Sequence, residues 1–196
     1  MKTNFNYFLF SILFIVTITS CSDADSNCNV NNFKFLQDGN ELTYEFAGFA
    51  CLFSDRLKVS YFAGEENGFV ITNECFLSGS EEFSTEFARV PIHECSGDLY
   101  ALDAEGKFMT DNFRYKGNRS LGDTWTNIDE NNVSATYTVL EKDISVEVPE
   151  GTHICDMISY AQEGAFNVDT IYFNNEVGFV KYSGILQEYA LLEKNF

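Results

Sequence analysis

The feature that most constrains the fold of this chain is a series of short apolar runs, each too brief to form a stable helix. Aromatic and β-branched residues cluster in stretches of five to nine residues that Gly, Asn, Asp and Glu separate. This pattern is typical of β-strands joined by turns. It predicts strands at Glu41–Ala47, Leu57–Phe62, Gly68–Asn73, Leu99–Asp103, Lys107–Tyr115, Asn132–Leu140, Asp143–Val148, His153–Ala161, Val168–Phe173, Val177–Tyr182 and Ile185–Leu192.

Three short connections predict that neighbouring strands pair as antiparallel hairpins. They are DAEGK at Asp103–Lys107, with Gly106 in a left-handed conformation, LEKDI at Leu140–Ile144, and FNNEV at Phe173–Val177. Consecutive hairpins form a meander. The sequence therefore predicts an all-β fold in which an antiparallel meander forms a partly closed barrel or a sandwich.

One segment favours a helix. In SGSEEFSTEFARV, Ser80 is placed to cap a turn or two, and Phe83 and Phe87 share one helical face. We therefore expect at most one or two short helices in an otherwise β-rich chain.

The N-terminus has the layout of a signal peptide. Lys2 is the one charged residue of the first six, and Tyr7–Ile18 is an uncharged run of 12 residues. That length suits a signal-peptide core and falls short of the ~20 residues that a membrane-spanning helix needs. We therefore do not expect a transmembrane anchor.

The four residues Ile18, Thr19, Ser20 and Cys21 follow this run. They resemble the lipobox of bacterial lipoproteins. The resemblance implies that a diacylglycerol is joined to the Cys21 thiol, that the chain is cut before Cys21, and that the new amino group is usually acylated. The alternative is an ordinary secretory signal with an incidental cysteine. The lipobox reading divides the chain into a signal peptide (1–20), a lipidated tether (21–32) and one β-rich domain (33–196).

An acidic tract, SDADSN, follows Cys21. Its Asp and Asn spacing opens like an EF-hand loop, but Cys28 stands where glycine is required and Lys34 where a bidentate glutamate belongs. The tract resembles instead the Ser/Asp tag that, in one Gram-negative lineage, sends lipoproteins across the outer membrane. That resemblance implies that Ser22, Asp23 and Asp25 direct the protein to the cell surface. The alternative is a flexible tether without an address.

The chain is strongly acidic, with 12 Lys and Arg against 30 Asp and Glu. Loss of Lys2 with the signal peptide leaves 11 − 30 = −19 on 196 − 20 = 176 residues. Nucleic acid and anionic lipid surfaces are bound through clustered basic residues, so neither is an expected partner. The lipid on Cys21 is the expected contact with the membrane.

Cysteine usage suits an oxidising compartment. With Cys21 assigned to lipid, five cysteines remain, and two bridges among them can form in several ways. We predict Cys28–Cys51 and Cys75–Cys95, because each closes a loop of about twenty residues that is worth roughly 3 kcal/mol. Cys155, in the apolar segment HICDMISY, is then the unpaired one, a small buried hydrophobic residue.

The reactive residues do not form a recognisable catalytic or metal-binding motif. The cysteines form no C-x-x-C pair, and His93 and His153 lie far apart in sequence, so we expect no metal site. His93, Glu94 and Cys95 are adjacent, but neither histidine belongs to a nucleophile motif such as G-x-S-x-G. There is no Gly-rich phosphate loop. We therefore expect neither a cofactor nor an enzyme.

Five segments carry a second resemblance. They are FLQDGNELTYEF at Phe35–Phe46, LGDTWT at Leu121–Thr126, VEVPEGTHICDMISY at Val146–Tyr160, TIYFNNEVGFVKYSG at Thr170–Gly184 and EYALLEK at Glu188–Lys194. In order and spacing they are similar to a widespread family of uncharacterised β-rich envelope proteins. The resemblance implies an antiparallel, partly closed sheet and supplies no catalytic residues.

These segments also have physical explanations of their own. Pro149 and Gly151 favour a tight turn, Gly178 allows close approach of backbones, and Trp125 is expected to be a core or rim anchor.

Two non-catalytic functions remain open, with a hydrolase as a third alternative. The first is an interaction module that binds a glycan, a peptide or a protein at the cell surface. The second is a lipocalin-like carrier whose sheet encloses an apolar ligand. A carrier needs a continuous apolar cavity of at least ~300 Å³, so the packing of the interior separates the two.

Overall fold

A computed structural model describes residues 33–48, 54–64, 68–95, 97–102, 108–128, 132–185 and 187–196. These residues form an all-β fold of antiparallel strands without a helix. The predicted signal peptide, Cys21, the Ser22, Asp23 and Asp25 tag, Cys28, Cys51 and the DAEGK loop lie outside the described residues. The strands are β1 (Glu41–Gly48), β2 (Arg56–Ala63), β3 (Phe69–Leu77), β4 (Ser80–Cys95), β5 (Asp98–Leu102), β6 (Phe108–Tyr115), β7 (Thr124–Ile128), β8 (Ser134–Val148), β9 (Gly151–Gln162), β10 (Asp169–Asn174), β11 (Gly178–Ser183) and β12 (Gln187–Lys194).

All twelve strands belong to one sheet, in the order β6-β5-β4-β3-β2-β1-β12-β11-β10-β9-β8-β7. Two six-stranded meanders are thus joined where β1 pairs with β12. The edge strands β6 and β7 are consecutive in the chain, and residues 116–123 connect them. The described sheet is not closed between β6 and β7, which agrees with the predicted partly closed barrel or sandwich.

Contacts across the interior show how strongly the sheet curls. The ring of Tyr115, on edge strand β6, stacks on Phe173 of β10 at a centroid distance of 3.8 Å. In a flat sheet eight strand spacings of ~4.8 Å would separate them by roughly 38 Å. Trp125 of β7, 6% exposed, packs edge-on against Tyr115. The predicted anchor residue Trp125 therefore lies in the core.

The segment before β1 fills the concave side of the sheet. We call residues 33–40 the plug segment; Phe33, Phe35 and Leu36 are at most 2% exposed. The ring of Phe35 contacts Tyr61 of β2 at 5.4 Å and Phe173 at 5.9 Å, so it bridges the two meanders.

Close approach to Gly178 positions this plug. Gly178 has φ +94°, and a Cβ there would lie 3.3 Å from the Phe35 ring. A neighbour does approach Gly178 closely, as predicted, but it is the Phe35 side chain and not a backbone. The Lys34 amide also donates to the Asn175 carbonyl at 3.0 Å, which fixes the plug at the β10–β11 turn.

The predicted LEKDI hairpin is wrong. Strand β8 runs through this segment and pairs with β9 on both sides of two register shifts, between Val139 and Glu141 and between Glu141 and Ile144. Asp143 has φ +55°, the special backbone conformation of a bulge rather than of a reversal. The bulge bends β8, so the β8–β9 turn reaches β12, where the Glu150 amide donates to the Leu191 carbonyl at 3.1 Å.

The predicted helix after Ser80 is also wrong, because this segment is strand β4, which pairs with β3 and β5. Its Thr and aromatic residues suit a strand, and pairing on both sides outweighs a local capping pattern. Strand β7 was not expected at all, because its five residues lie in a segment that reads as a turn.

The predicted bridge between Cys75 and Cys95 is wrong as well. Both residues are disulfide-bonded, but not to each other. Cys75 lies opposite Thr85 of β4, and Cys95 follows ten residues later on that extended strand. About 33 Å thus separates them, whereas a disulfide needs Cα atoms within about 7 Å.

Chain connectivity indicates a different pairing. The Ser54 hydroxyl donates to the carbonyl of Phe76, which is next to Cys75 in the chain. Cys51 precedes Ser54 by three residues, and three residues of chain span about 10 Å at most. Near the C-terminal end of β4, Phe33 lies beside Gly97. A Cβ placed on Gly117 would be 2.8 Å from the carbonyl carbon of Gly97 and 2.8 Å from Cζ of Phe33. Cys95 precedes Gly97 by two residues.

We therefore expect bridges Cys51–Cys75 and Cys28–Cys95, with Cys155, the free cysteine among the described residues, left as a thiol. Peptide mapping of non-reduced protein from the envelope should recover these two cross-linked peptide pairs. Recovery of a peptide that joins Cys75 to Cys95 would contradict the strand register, because the β3–β4 pairing holds these two residues far apart.

Candidate functional site

A polar cleft of about 800 Å³ opens at the end of the sheet where the plug segment enters. We call it the entry cleft. It lies between the β8–β9 and β10–β11 turns, above the connection between β6 and β7, and it is bordered by Arg119, Lys142, Glu150, Asp156, Asn175 and Lys194.

The floor of the entry cleft is a buried ion pair. The Arg119 and Asp156 side chains are 2% and 8% exposed, and Nη2 lies 2.6 Å from Oδ2. Arg119 Nη1 also donates to the carbonyls of Lys116 and Gly117, and Nη2 donates to Oδ1 of Asn175 at 3.1 Å. One guanidinium therefore ties the β6–β7 connection to β9 and to the β10–β11 turn.

Two rings and a second cation complete the floor. The guanidinium carbon of Arg119 lies 4.8 Å from the centroid of Tyr115 and 5.1 Å from that of Phe173. Lys142, carried by the β8 bulge, donates to Oδ2 of Asp156 and to the Arg119 carbonyl, each at 3.0 Å. Two cations share one carboxylate, so this floor carries a net charge of +1.

A second charged group forms the rim. Glu150, in the β8–β9 turn, lies 2.5 Å from Nε2 of His153 and 2.8 Å from Nζ of Lys194. Burial alone would raise the pKa of Glu150, but the hydrogen bonds from Lys194 and His153 outweigh it, and the pKa lies below its ordinary value. The rim is thus held in one arrangement by paired charges.

The reactive residues considered in the sequence do not converge here. His93 lies on β4, His153 on β9, and the His153 ring is bound to Glu150. Cys155 is buried beside Asp156; burial, and then this neighbouring carboxylate, raise the pKa of its thiol to about 12. Cys155 is therefore protonated at neutral pH, as expected of a small buried hydrophobic residue.

The β10–β11 hairpin was predicted and is confirmed, but its asparagines act through hydrogen bonds. Asn174 Oδ1 accepts from the amides of Glu176 and Val177, and Asn175 Oδ1 accepts from Arg119. The left-handed residue of this hairpin is Gly178.

Sequence reasoning missed Arg119, Lys142 and Asp156, because their partners are distant in the chain. One signal was present. Asp156 interrupts the apolar segment HICDMISY, and a carboxylate in such a strand needs a cation.

A second opening, of about 320 Å³, lies at the opposite end of the sheet between the β9–β10 and β11–β12 loops. We call it the mouth pocket. Asp169 lies in its wall and accepts hydrogen bonds from the Tyr182 hydroxyl and from Nδ2 of Asn167. Tyr160, Gln162 and Gln187 complete its border.

No group of three or more His, Cys, Asp or Glu side chains in the described ranges has the arrangement of a metal site. No helix there is long and apolar enough to cross a membrane.

Comparison with known proteins identifies the fold. No family model matches the chain, and no curated protein matches its sequence. A Bacteroides fragilis protein described as exported and of YmcC-like fold matches with a TM-score of 0.52, at 10% identity, over 84% of this chain and 99% of that one. A Parabacteroides distasonis protein described as a lipoprotein matches with a TM-score of 0.45, at 13% identity, over 87% and 100%. The chain shares the fold of the first protein.

The shared carboxylate of the floor predicts unequal effects of mutation. Asp156→Ala leaves two cations near one another without a counter-charge, and a broken buried pair costs about 3–5 kcal/mol. Arg119→Met leaves Asp156 paired with Lys142, so its loss should be smaller. Urea unfolding of both variants, with exposed Glu147→Ala as the control, measures the difference; equal losses would contradict the shared floor.

The rim predicts a pH effect. Because the pKa of folded Glu150 is lowered, its contribution to stability is present above the unfolded-state pKa of about 4.3 and is lost as pH falls through the folded value. Glu150→Gln should therefore flatten the decline in unfolding free energy between about pH 5 and about pH 3. Parallel urea titrations of the two proteins test this, and identical slopes would contradict it.

Proposed function

We propose that this chain is a non-enzymatic binding module of the cell envelope, anchored in the outer membrane through lipid on Cys21 and facing the cell surface. The lipobox-like ITSC sequence and the Ser22, Asp23 and Asp25 tract support the anchor and the address. A fold shared with a protein described as exported agrees with this location.

The observation that carries the proposal is the packing of the interior. Phe33, Phe35 and Leu36 occupy the concave side of the sheet, where a carrier would place an apolar ligand. The space left at the entry end is polar and charged. This arrangement favours a binding module over the lipocalin-like carrier, because an apolar ligand would have to displace the protein's own core.

The entry cleft suits a polar ligand with a carboxylate, such as an acidic glycan or peptide. Arg119 and Lys142 exceed their shared carboxylate by one positive charge at the floor, while the acidic residues Asp143, Glu150 and Glu176 stand on the border. Lys142 uses two of its three N–H groups within the protein. The third can donate to a ligand carboxylate. Thr152 on the border offers a hydroxyl group for a further hydrogen bond.

The same contacts favour binding over catalysis. His153 is held by Glu150, and the Cys155 thiol is buried and protonated. A nucleophile needs a free base beside it, and neither residue provides that pair.

Calorimetric titration with tetragalacturonate and with neutral maltotetraose tests the ligand class. We expect the acidic sugar to bind and Lys142→Gln to weaken it about tenfold, the value of one charge-assisted hydrogen bond. Lys181→Gln is the matched control, since Lys142 and Lys181 are 33% and 32% exposed. Equal affinity for both sugars would contradict the charged floor, and dodecanoate binding would favour the carrier.

Protease treatment of whole cells tests the anchor and the address separately. Cys21→Ala should abolish lipidation and either release the protein or leave an uncleaved precursor. Replacing Asp23 and Asp25 with alanine should retain lipid but protect the protein from added protease, whereas Asn29→Ala with Asn31→Ala should leave it sensitive. A periplasmic protein controls for lysis. Equal digestion of all lipidated forms would show that the two aspartates carry no address.

A further inference from the structure

The mouth pocket lies at the end of the sheet opposite the entry cleft. Thr170, near the start of β10, pairs with Ser183 at the end of β11, so the loops that precede β10 and follow β11 are neighbours. The plug segment is fixed at the other end, where Lys34 bonds to Asn175. The start of the plug segment therefore lies at the end of the sheet away from the mouth pocket.

The mouth pocket combines a carboxylate with aromatic walls. Asp169 lies opposite Tyr160 in the β9–β10 ladder, and both its oxygens accept hydrogen bonds, from Tyr182 and Asn167. No basic residue borders the pocket, and Asp169 forms no ion pair within the described chain. A fixed carboxylate beside tyrosine rings is a favourable environment for an ammonium or guanidinium group.

Exposed apolar side chains stand on the two loops beside this pocket. Phe166 is fully exposed, Val168 is 63% exposed and Ile185 is 75% exposed. Such side chains grouped around a pocket mark an interaction surface. Together with Asp169 they match a segment that presents a cation among apolar residues.

Three occupants of this surface differ in charge and position. An anionic membrane is disfavoured because Glu163 and Asp169 are acidic. A second copy of the chain would bring the same acidic loops together. A basic partner protein would instead be attracted by these acidic residues.

We propose that the mouth pocket binds a lysine or arginine side chain that an apolar segment of a partner protein presents, with Phe166, Val168 and Ile185 contacting the flanking residues. This site goes beyond the proposed function, which concerns the entry cleft at the other end. The partner cation pairs with Asp169 and lies against Tyr160 and Tyr182.

Two labelled peptides test the site on the full lipidated protein in detergent. One is an acetylated and amidated pentapeptide with lysine between two leucines; the other has norleucine in place of lysine. Fluorescence anisotropy should show at least tenfold tighter binding of the lysine peptide. Asp169→Asn should remove that preference, and Glu193→Gln, which removes an exposed acid from the other end of β12, should retain it.

A second variant tests the apolar loops without disturbing the fold. Phe166→Ser should weaken both peptides alike and leave the melting temperature unchanged, because the ring is fully exposed. Equal binding of the two peptides, or a preference that survives Asp169→Asn, would overturn the proposal. Competition by free n-butylammonium at the same concentration as the peptide would also overturn it. Binding of the protein to phosphatidylethanolamine–phosphatidylglycerol vesicles, if Phe166→Ser abolished that binding, would overturn it as well.

Discussion

The stacking of Tyr115 on Phe173 is the contact on which the rest of the structure depends. The two residues belong to opposite meanders, and the direct hydrogen-bonded link between those meanders is the β1–β12 ladder. Each aromatic pair contributes about 0.5–1.5 kcal/mol beyond burial, and Phe35 adds further contacts to Tyr61 and Phe173. The aromatic interior therefore holds the sheet in its curled form where no ladder among the described residues joins β6 to β7.

Arg119 extends this closure to the surface. Its guanidinium lies over both stacked rings and binds Asp156 beneath the entry cleft. The pair is more than a local ion pair, because it orders the connection between the two edge strands. A buried salt bridge need not add stability over an apolar substitute, so its clearer consequence is a fixed polar floor on which a ligand can be oriented.

The two ends of the domain differ in charge. Five of the 12 Lys and Arg residues, Lys34, Lys116, Arg119, Lys142 and Lys194, lie at the entry end and pair with nearby carboxylates. The mouth pocket has no basic residue on its border. An acidic chain thus places much of its positive charge at the entry end, where nearby carboxylates pair with it.

Much of the fold was predictable because alternation along a strand is a local property. The β10–β11 hairpin follows from residues within a few positions of each other. The β8 bulge and strand β4 were not predictable, because each depends on which strand lies alongside. The same reason hid the charged floor, since Arg119 and Asp156 meet only when the sheet curls.

The central claim is that the interior is permanently filled by the plug segment. Amide hydrogen exchange tests it directly, since Lys34 donates to Asn175, Gly39 donates to Tyr61 and Tyr61 donates to Asn40. We predict that these amides exchange only through global unfolding, with protection equal to that of the core strands and unchanged by dodecanoate. Fast exchange confined to residues 33–40, or exchange that an added fatty acid accelerates, would show that the interior opens and would contradict the account.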